Sequence, residues 1–116
     1  MTETTYNELK RGIEDLQKNV DVVAPNFCIK IALEVLKDKK VQDAFIELIN
    51  NGYLFEGVSC EPFGLDETYV YFQFGCKPPR ICFIVPLLRV TYDLSLHKVV
   101  KIEHLSVHNV GHIPPH

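Results

Sequence analysis

The run from Ile81 to Leu94 is the most hydrophobic stretch of the chain, and it constrains the fold more than any other feature. From Ile81 to Leu88 it contains no polar side chain, and β-branched and aromatic residues dominate, which favours a buried strand over a helix. Beyond Leu88 apolar and polar residues alternate, as in a strand with one face in water. We therefore predict one long strand, with Pro86 at a sheet edge or a bulge because proline lacks an amide hydrogen.

A second alternating run begins at Lys98, directly after the short segment 95–97, and predicts a hairpin. A three-residue loop sets Arg89 opposite Glu103 and leaves no like charges facing each other, whereas a slip by one residue sets apolar residues opposite polar ones. The predicted cross-strand pairs are Leu94 with Lys98, Tyr92 with Val100, Thr91 with Lys101, Val90 with Ile102, Arg89 with Glu103 and Leu88 with His104.

The first half of the chain has helical periodicity. Thr5 and Glu8 have the spacing of a capping box, and an apolar stripe follows them to Val20, so a first helix is predicted there. A second, largely apolar helix is predicted from Pro25 to about Lys37. The charged cluster 37–40 either separates it from a third helix or lies inside one long helix; we favour the separation, with the left-handed glycine Gly52 ending the last helix.

From Tyr53 onward strand-forming residues dominate. Strands are predicted over 53–63 and 68–74, joined by a turn at 64–67, with Tyr69 and Tyr71 on the face opposite the core. The sequence thus predicts a single α+β domain over 1–110, in which two or three N-terminal helices pack on a four-stranded antiparallel β-meander, and a loosely held tail at 111–116. In the order of its elements this pattern resembles cystatin-like and NTF2-like architectures, although in the NTF2-like order a strand interrupts the helices.

Composition narrows the classes of partner. The net charge is −3 and is spread evenly along the chain, so no basic stripe indicates nucleic acid or an anionic membrane. No apolar run approaches the roughly 20 residues of a membrane span, and the charged N-terminal twenty residues are unlike a signal peptide. We therefore expect a cytoplasmic protein whose four cysteines are reduced and largely buried.

No catalytic or cofactor signature stands out. Four histidines recur at steps of four from His104 to His116, but they lie on a predicted strand and a Gly/Pro tail rather than on a helix, so we predict no metal site. Cys76 and Cys82 flank a Lys-Pro-Pro-Arg turn without the spacing of a redox motif. No phosphate-binding glycine loop occurs. The sequence favours a role without catalysis, and we predict no cofactor.

Two functional hypotheses remain. The first is a small interaction domain, regulatory or adaptor in role, that forms a homodimer through its sheet, because the chain has more apolar and tyrosine surface than a few helices can cover. Its predicted interface residues are Tyr69, Tyr71, Ile81, Phe83, Val85 and Leu87. The alternative is a small-molecule-binding module with an apolar pocket between the helix at 25–37 and the sheet. Its predicted polar contacts are Tyr92, His104 and Cys60.

Overall fold

A computed structural model of the chain describes residues 26–108. They form two helices, α1 (Asn26–Val35) and α2 (Lys39–Asn50), and then four strands. The strands are β1 (Tyr53–Phe63), β2 (Glu67–Cys76), β3 (Ile84–Asp93) and β4 (Lys98–His108). All neighbouring strands are antiparallel and follow the order β1-β2-β3-β4, so the α+β class and the antiparallel sheet are confirmed. The helix predicted from Thr5 and the tail at 111–116 lie outside the described residues.

The predicted separation between the two described helices is confirmed. Asp38 has extended backbone angles and caps α2, because its Oδ1 accepts hydrogen bonds from the amides of Lys40 at 2.9 Å and Val41 at 3.2 Å. Such a cap satisfies two amides that have no partner within the helix. At the other end Gly52 has a φ of +93°, as predicted for the glycine that ends the helix.

The predicted β3–β4 register is confirmed in its central part and wrong near the turn. The pairs from Leu88–His104 to Thr91–Lys101 are present, but Tyr92 pairs with Val99 rather than Val100. The loop has four residues, 94–97, because Asp93 Oδ1 accepts hydrogen bonds from the amides of Ser95 and Leu96. The longer loop moves Lys98 opposite Asp93, and β4 absorbs the change in a bulge before Lys101.

The long strand predicted from Ile81 is wrong at its start, because β3 begins at Ile84. Residues 77–83 form a loop that a turn hydrogen bond from Arg80 N to Lys77 O and a disulfide between Cys76 and Cys82 hold in place. Pairing between β2 and β3 ends at Gln73 and Leu87, so Pro86 pairs with β4 alone. Its predicted position at a locally unpaired edge is therefore confirmed.

The core lies between the helices and one face of the sheet. At its centre, the ring of Phe45 from α2 contacts Phe55 of β1 and two rings of β2, with centroid distances of 5.0–5.9 Å. Val35 and Leu36 are fully buried beside it at the end of α1. The apolar character predicted for α1 thus serves to cover this face of the sheet.

The prediction of reduced cysteines is wrong, because all four form disulfides. Cys28 of α1 is bonded to Cys60 of β1, and Cys76 is bonded to Cys82. The Cα atoms of the two pairs are 5.6 Å and 5.9 Å apart, within the usual range for a disulfide. Packing of α1 across β1 brings Cys28 and Cys60 together, and no local sequence pattern indicates such a meeting.

Candidate interaction surface

The described helices leave the opposite face of the sheet, here called the outer face, uncovered. Residues that are paired across an antiparallel sheet point to the same side of it, so the register defines this face. The outer face comprises Ser59, Glu61 and Phe63 of β1, Tyr69, Tyr71 and Gln73 of β2, Leu87, Arg89 and Thr91 of β3, and Lys101, Glu103 and Leu105 of β4.

A charged pair lies at the centre of the outer face. Arg89 donates two hydrogen bonds to Glu103, from Nε to Oε1 and from Nη2 to Oε2, both at 2.9 Å. These bonds hold the pKa of Glu103 below its ordinary value and raise the pKa of Arg89. The guanidinium also lies 4.4 Å from the centroid of the Tyr69 ring. Arg89 is therefore held between a carboxylate and an aromatic ring, in a fixed orientation.

An aromatic row continues from Arg89 towards β1. The ring of Tyr69 stacks on Phe63, with centroids 4.5 Å apart and an interplanar angle of 20°, and it also contacts Tyr71 at 5.9 Å. The hydroxyl of Tyr71 donates to Glu61 Oε1 at 3.0 Å. Partial burial raises the pKa of Tyr71 above its ordinary value. We call the connected set Glu61, Phe63, Tyr69, Tyr71, Arg89 and Glu103 the aromatic ladder.

The structure distributes the six predicted interface residues over three environments. Tyr69, Tyr71 and Leu87 lie half-buried on the outer face. Val85 is on the same side of β3 but is only 5% exposed. Ile81 and Phe83 lie on the 77–83 loop rather than on a strand, and they are 83% and 80% exposed. The loop residues are thus the most accessible apolar members of the predicted set.

The three predicted pocket residues are not brought together. Cys60 lies on edge strand β1 and His104 on edge strand β4, so three strand spacings, or about 14 Å, separate them. The sulfur of Cys60 is held in the disulfide with Cys28, and His104 is exposed. Tyr92 is 2% exposed, burial raises its pKa, and its buried hydroxyl has no hydrogen-bond partner.

A groove of about 460 Å³ lies elsewhere, between the start of α2 and the first half of β4. Asp38, Lys39 and Lys40 form one side, and residues 99–102 form the other. None of the three predicted pocket residues lines it. The groove is open and carries three lysines, so it differs from the enclosed apolar pocket that the sequence predicted.

Sequence reasoning found the tyrosines of the aromatic ladder but missed other members. Arg89 and Glu103 were predicted as a pair that fixes the strand register, not as part of a site. For Phe63 the sequence predicts only the last position of the first strand, with no contact to another ring. The sequence feature that indicates this contact is the tight turn at 64–66, because it brings Phe63 close to Tyr69 across the hairpin.

The described residues were searched for a cluster of metal ligands and for a helix able to cross a membrane. Between residues 26 and 108, no group of three or more His, Cys, Asp or Glu side chains is placed to hold a metal ion. Neither described helix is long and apolar enough to cross a membrane. Comparison of the chain with protein-family models, with curated proteins and with solved structures gave no match in any of the three.

Proposed function

We propose that this chain is a small protein-interaction domain, regulatory or adaptor in role, that forms a homodimer through the outer face of its sheet. The observation that carries the proposal is the aromatic ladder, in which stacked rings, a two-bonded Arg–Glu pair and a Tyr–Glu hydrogen bond cross all four strands. Tyrosine and arginine are the residue types enriched where binding energy concentrates in interfaces.

The fixed arrangement of side chains in the aromatic ladder supports a role in binding, as does its residue composition. Arg89 and Tyr69 already contact each other before any partner arrives, so they lose little side-chain entropy on binding. The same holds for Tyr71, which Glu61 orients. A preorganised surface of this kind binds more tightly than an equal area of mobile side chains.

The 77–83 loop adds apolar anchors at one end of the outer face. Ile81 and Phe83 are mostly exposed, and the half-buried Leu87 lies just inside β3. Large apolar residues exposed together are uncommon on a surface that faces only water. In the proposed homodimer the loop of each copy packs against the outer face of the other copy. A two-fold axis relates the two copies, so this contact occurs twice.

Static light scattering tests the proposal, with wild type beside Tyr71→Glu and Phe83→Glu at micromolar concentration. We expect a dimeric wild type and folded monomers for both variants, since each places an unpaired charge in the interface. The matched control is Phe27→Glu, because Phe27 is 58% exposed on α1, on the other side of the sheet. A monomeric wild type, or a control that dissociates as fully as Phe83→Glu, would overturn the proposal.

The alternative, a small-molecule-binding module with an apolar pocket beneath α1, keeps one supporting observation. The buried hydroxyl of Tyr92 has no partner, and a bound ligand would supply one. Titration with the apolar dye 8-anilinonaphthalene-1-sulfonate tests it in wild type and Tyr92→Phe. Binding that the substitution weakens supports a pocket there, and no binding in either protein removes it.

The sequence predicts a cytoplasmic location because it shows neither an apolar run of membrane-span length nor a signal-peptide pattern, and reduced cysteines were expected to follow from that location. Disulfides are instead typical of oxidising compartments, so the two bonds favour such a compartment. To distinguish the two compartments, the protein is unfolded and alkylated directly in cell lysate, and its alkylated cysteines are counted. Four alkylated cysteines support the cytoplasm, and none supports an oxidising compartment.

A further inference from the structure

The two disulfides differ in their accessibility. In the Cys28–Cys60 bond, Cys28 is 1% exposed, and Cys60 is half-buried and packs against the core. Cys76 and Cys82 are both half-buried at the end of the sheet, where β2 gives way to the 77–83 loop. A thiol dissolved in water therefore reaches the Cys76–Cys82 bond more readily than the Cys28–Cys60 bond.

Arg80 makes the two sulfurs of the accessible bond unequal. Its Nη2 donates to Cys82 Sγ at 3.8 Å, and its guanidinium is held over the ring of Tyr53, 5.2 Å from the centroid. A fixed cation beside a sulfur stabilises the thiolate form. A more stable thiolate is the better leaving group in thiol–disulfide exchange, so the geometry favours attack on Cys76 and departure of Cys82.

This bond also fixes the geometry of the exposed loop. Cys76 is the last residue of β2, and Cys82 precedes β3 by two residues. Beyond Gln73 and Leu87 the two strands no longer pair, so the disulfide is what joins them at this end. Ile81 and Phe83 flank Cys82 directly, and opening the bond releases both from their present positions.

We propose that Cys76–Cys82 is a thiol–disulfide exchange site for a low-molecular-weight monothiol, and, resting on the proposed function, that its opening weakens the homodimer. The monothiol, as thiolate, attacks Cys76 Sγ and forms a mixed disulfide there. The original bond breaks, and its electron pair leaves on Cys82 Sγ, which then takes a proton from water. A second monothiol displaces Cys76, so two monothiols are oxidised to their disulfide and one protein disulfide is reduced.

Opening the disulfide weakens association because the loop is no longer held in its binding arrangement. A loop closed by the disulfide presents Ile81 and Phe83 in one arrangement, whereas the opened loop must be ordered each time it binds. The Cys28–Cys60 bond stays intact during this change, so α1 remains tied to β1 and the fold persists. Exchange would thus alter binding without unfolding the domain.

Mass spectrometry tests the exchange site independently of any dimer. The full-length wild type is treated with reduced glutathione, quenched with iodoacetamide and digested. We expect Cys76 and Cys82 to be modified about tenfold faster than Cys28 and Cys60, with the glutathione adduct on Cys76. Equal rates for the two disulfides, or an adduct mainly on Cys82, would overturn the assignment.

The role of Arg80 has its own comparison. Arg80→Gln removes the cation beside Cys82, and we expect exchange to slow by about threefold or more. Lys77→Gln is the matched control, because it removes one charge from the same loop and is expected to leave the rate within about twofold of wild type. Equal slowing in both variants would show that only the loop's net charge matters, which contradicts the proposed contact.

Light scattering then tests the control of association. Glutathione-treated wild type with Cys28–Cys60 intact, and the Cys76→Ser/Cys82→Ser double variant, are compared with the oxidised wild type. We expect the dissociation constant of the dimer to be about tenfold higher in both than in the oxidised wild type. An unchanged dimer overturns the regulation but leaves the proposed function standing, whereas an oxidised wild type that is already monomeric overturns the proposed function itself.

Discussion

Tyr92 shows how burial and hydrogen bonding oppose each other at a single residue. Its ring lies in the core and is 2% exposed, while its hydroxyl is buried without a partner. Leaving a buried hydroxyl unpaired costs about 1–3 kcal/mol relative to satisfying it. The ring therefore stabilises the core while the hydroxyl weakens it.

We predict that Tyr92→Phe leaves stability unchanged or raises the free energy of unfolding by up to about 1 kcal/mol, because the orphan hydroxyl is removed and the ring is kept. Urea denaturation measures the change. A loss of stability would mean that water or a ligand satisfies this hydroxyl.

The control for this prediction is Tyr71→Phe, which removes a hydroxyl that does have a partner. Tyr71 donates to Glu61 at 3.0 Å, at an accessible position. We expect its loss to lower the free energy of unfolding by about 0.5 kcal/mol. If the free energy of unfolding rises in Tyr92→Phe and falls in Tyr71→Phe, the difference comes from hydrogen bonding of the hydroxyl rather than from the polarity of the ring.

Glu103 makes the stability dependent on pH at the acid end. Hydrogen bonds from Arg89 hold its pKa below the ordinary 4.5, so the folded protein favours the carboxylate. This contribution is fully present above the unfolded pKa and is lost as the pH falls from there through the folded pKa. We predict that Glu103→Gln reduces the fall in stability below about pH 4.5, as urea midpoints measured across the acid range would report. A wild-type slope in the variant would contradict this.

At the scale of elements, the break between α1 and α2 depends on one side chain. Asp38 caps α2 by accepting from two amides. We predict that Asp38→Ala lowers the free energy of unfolding by about 1 kcal/mol, because both amides lose their partner. The measurement is again urea denaturation.

Asp43→Ala is the matched control, because Asp43 lies on the exposed side of the same helix. We expect its free energy of unfolding to change by no more than about 0.5 kcal/mol. A loss equal to that of Asp38→Ala would contradict the capping role.

For the whole molecule, the Cys28–Cys60 disulfide joins the helical layer to the sheet. It spans 32 positions, against 6 for Cys76–Cys82. Because a longer closed loop restricts the unfolded chain more, we predict that Cys28→Ala/Cys60→Ala costs about 4 kcal/mol and Cys76→Ala/Cys82→Ala about 2 kcal/mol. Thermal and urea unfolding of both double variants would check the order. A larger loss from the second pair would mean that the loop, rather than the helix tether, supports the fold.

Features that depend on neighbouring residues were predictable from the sequence. The enrichment of strand-forming residues predicted the bounds 53–63 of β1, and period-two alternation in the next strand placed Tyr69 and Tyr71 opposite the core. Charge pairing gave the central β3–β4 register, including Arg89 with Glu103. These signals are local because a strand alternates its side chains and a hairpin pairs residues close in sequence.

The tertiary structure decided what depends on residues meeting from distant parts of the chain. The four-residue loop and its bulge moved Tyr92 opposite Val99, and residues 81–83, predicted as strand, lie in the loop that the Cys76–Cys82 disulfide closes. Cys28 and Cys60 meet because α1 crosses β1, and Phe63 joins Tyr69 because a turn folds one strand onto the next. Such contacts follow from packing of elements rather than from any local pattern, so the sequence alone determined the layers and faces, and the packing determined which side chains meet on them.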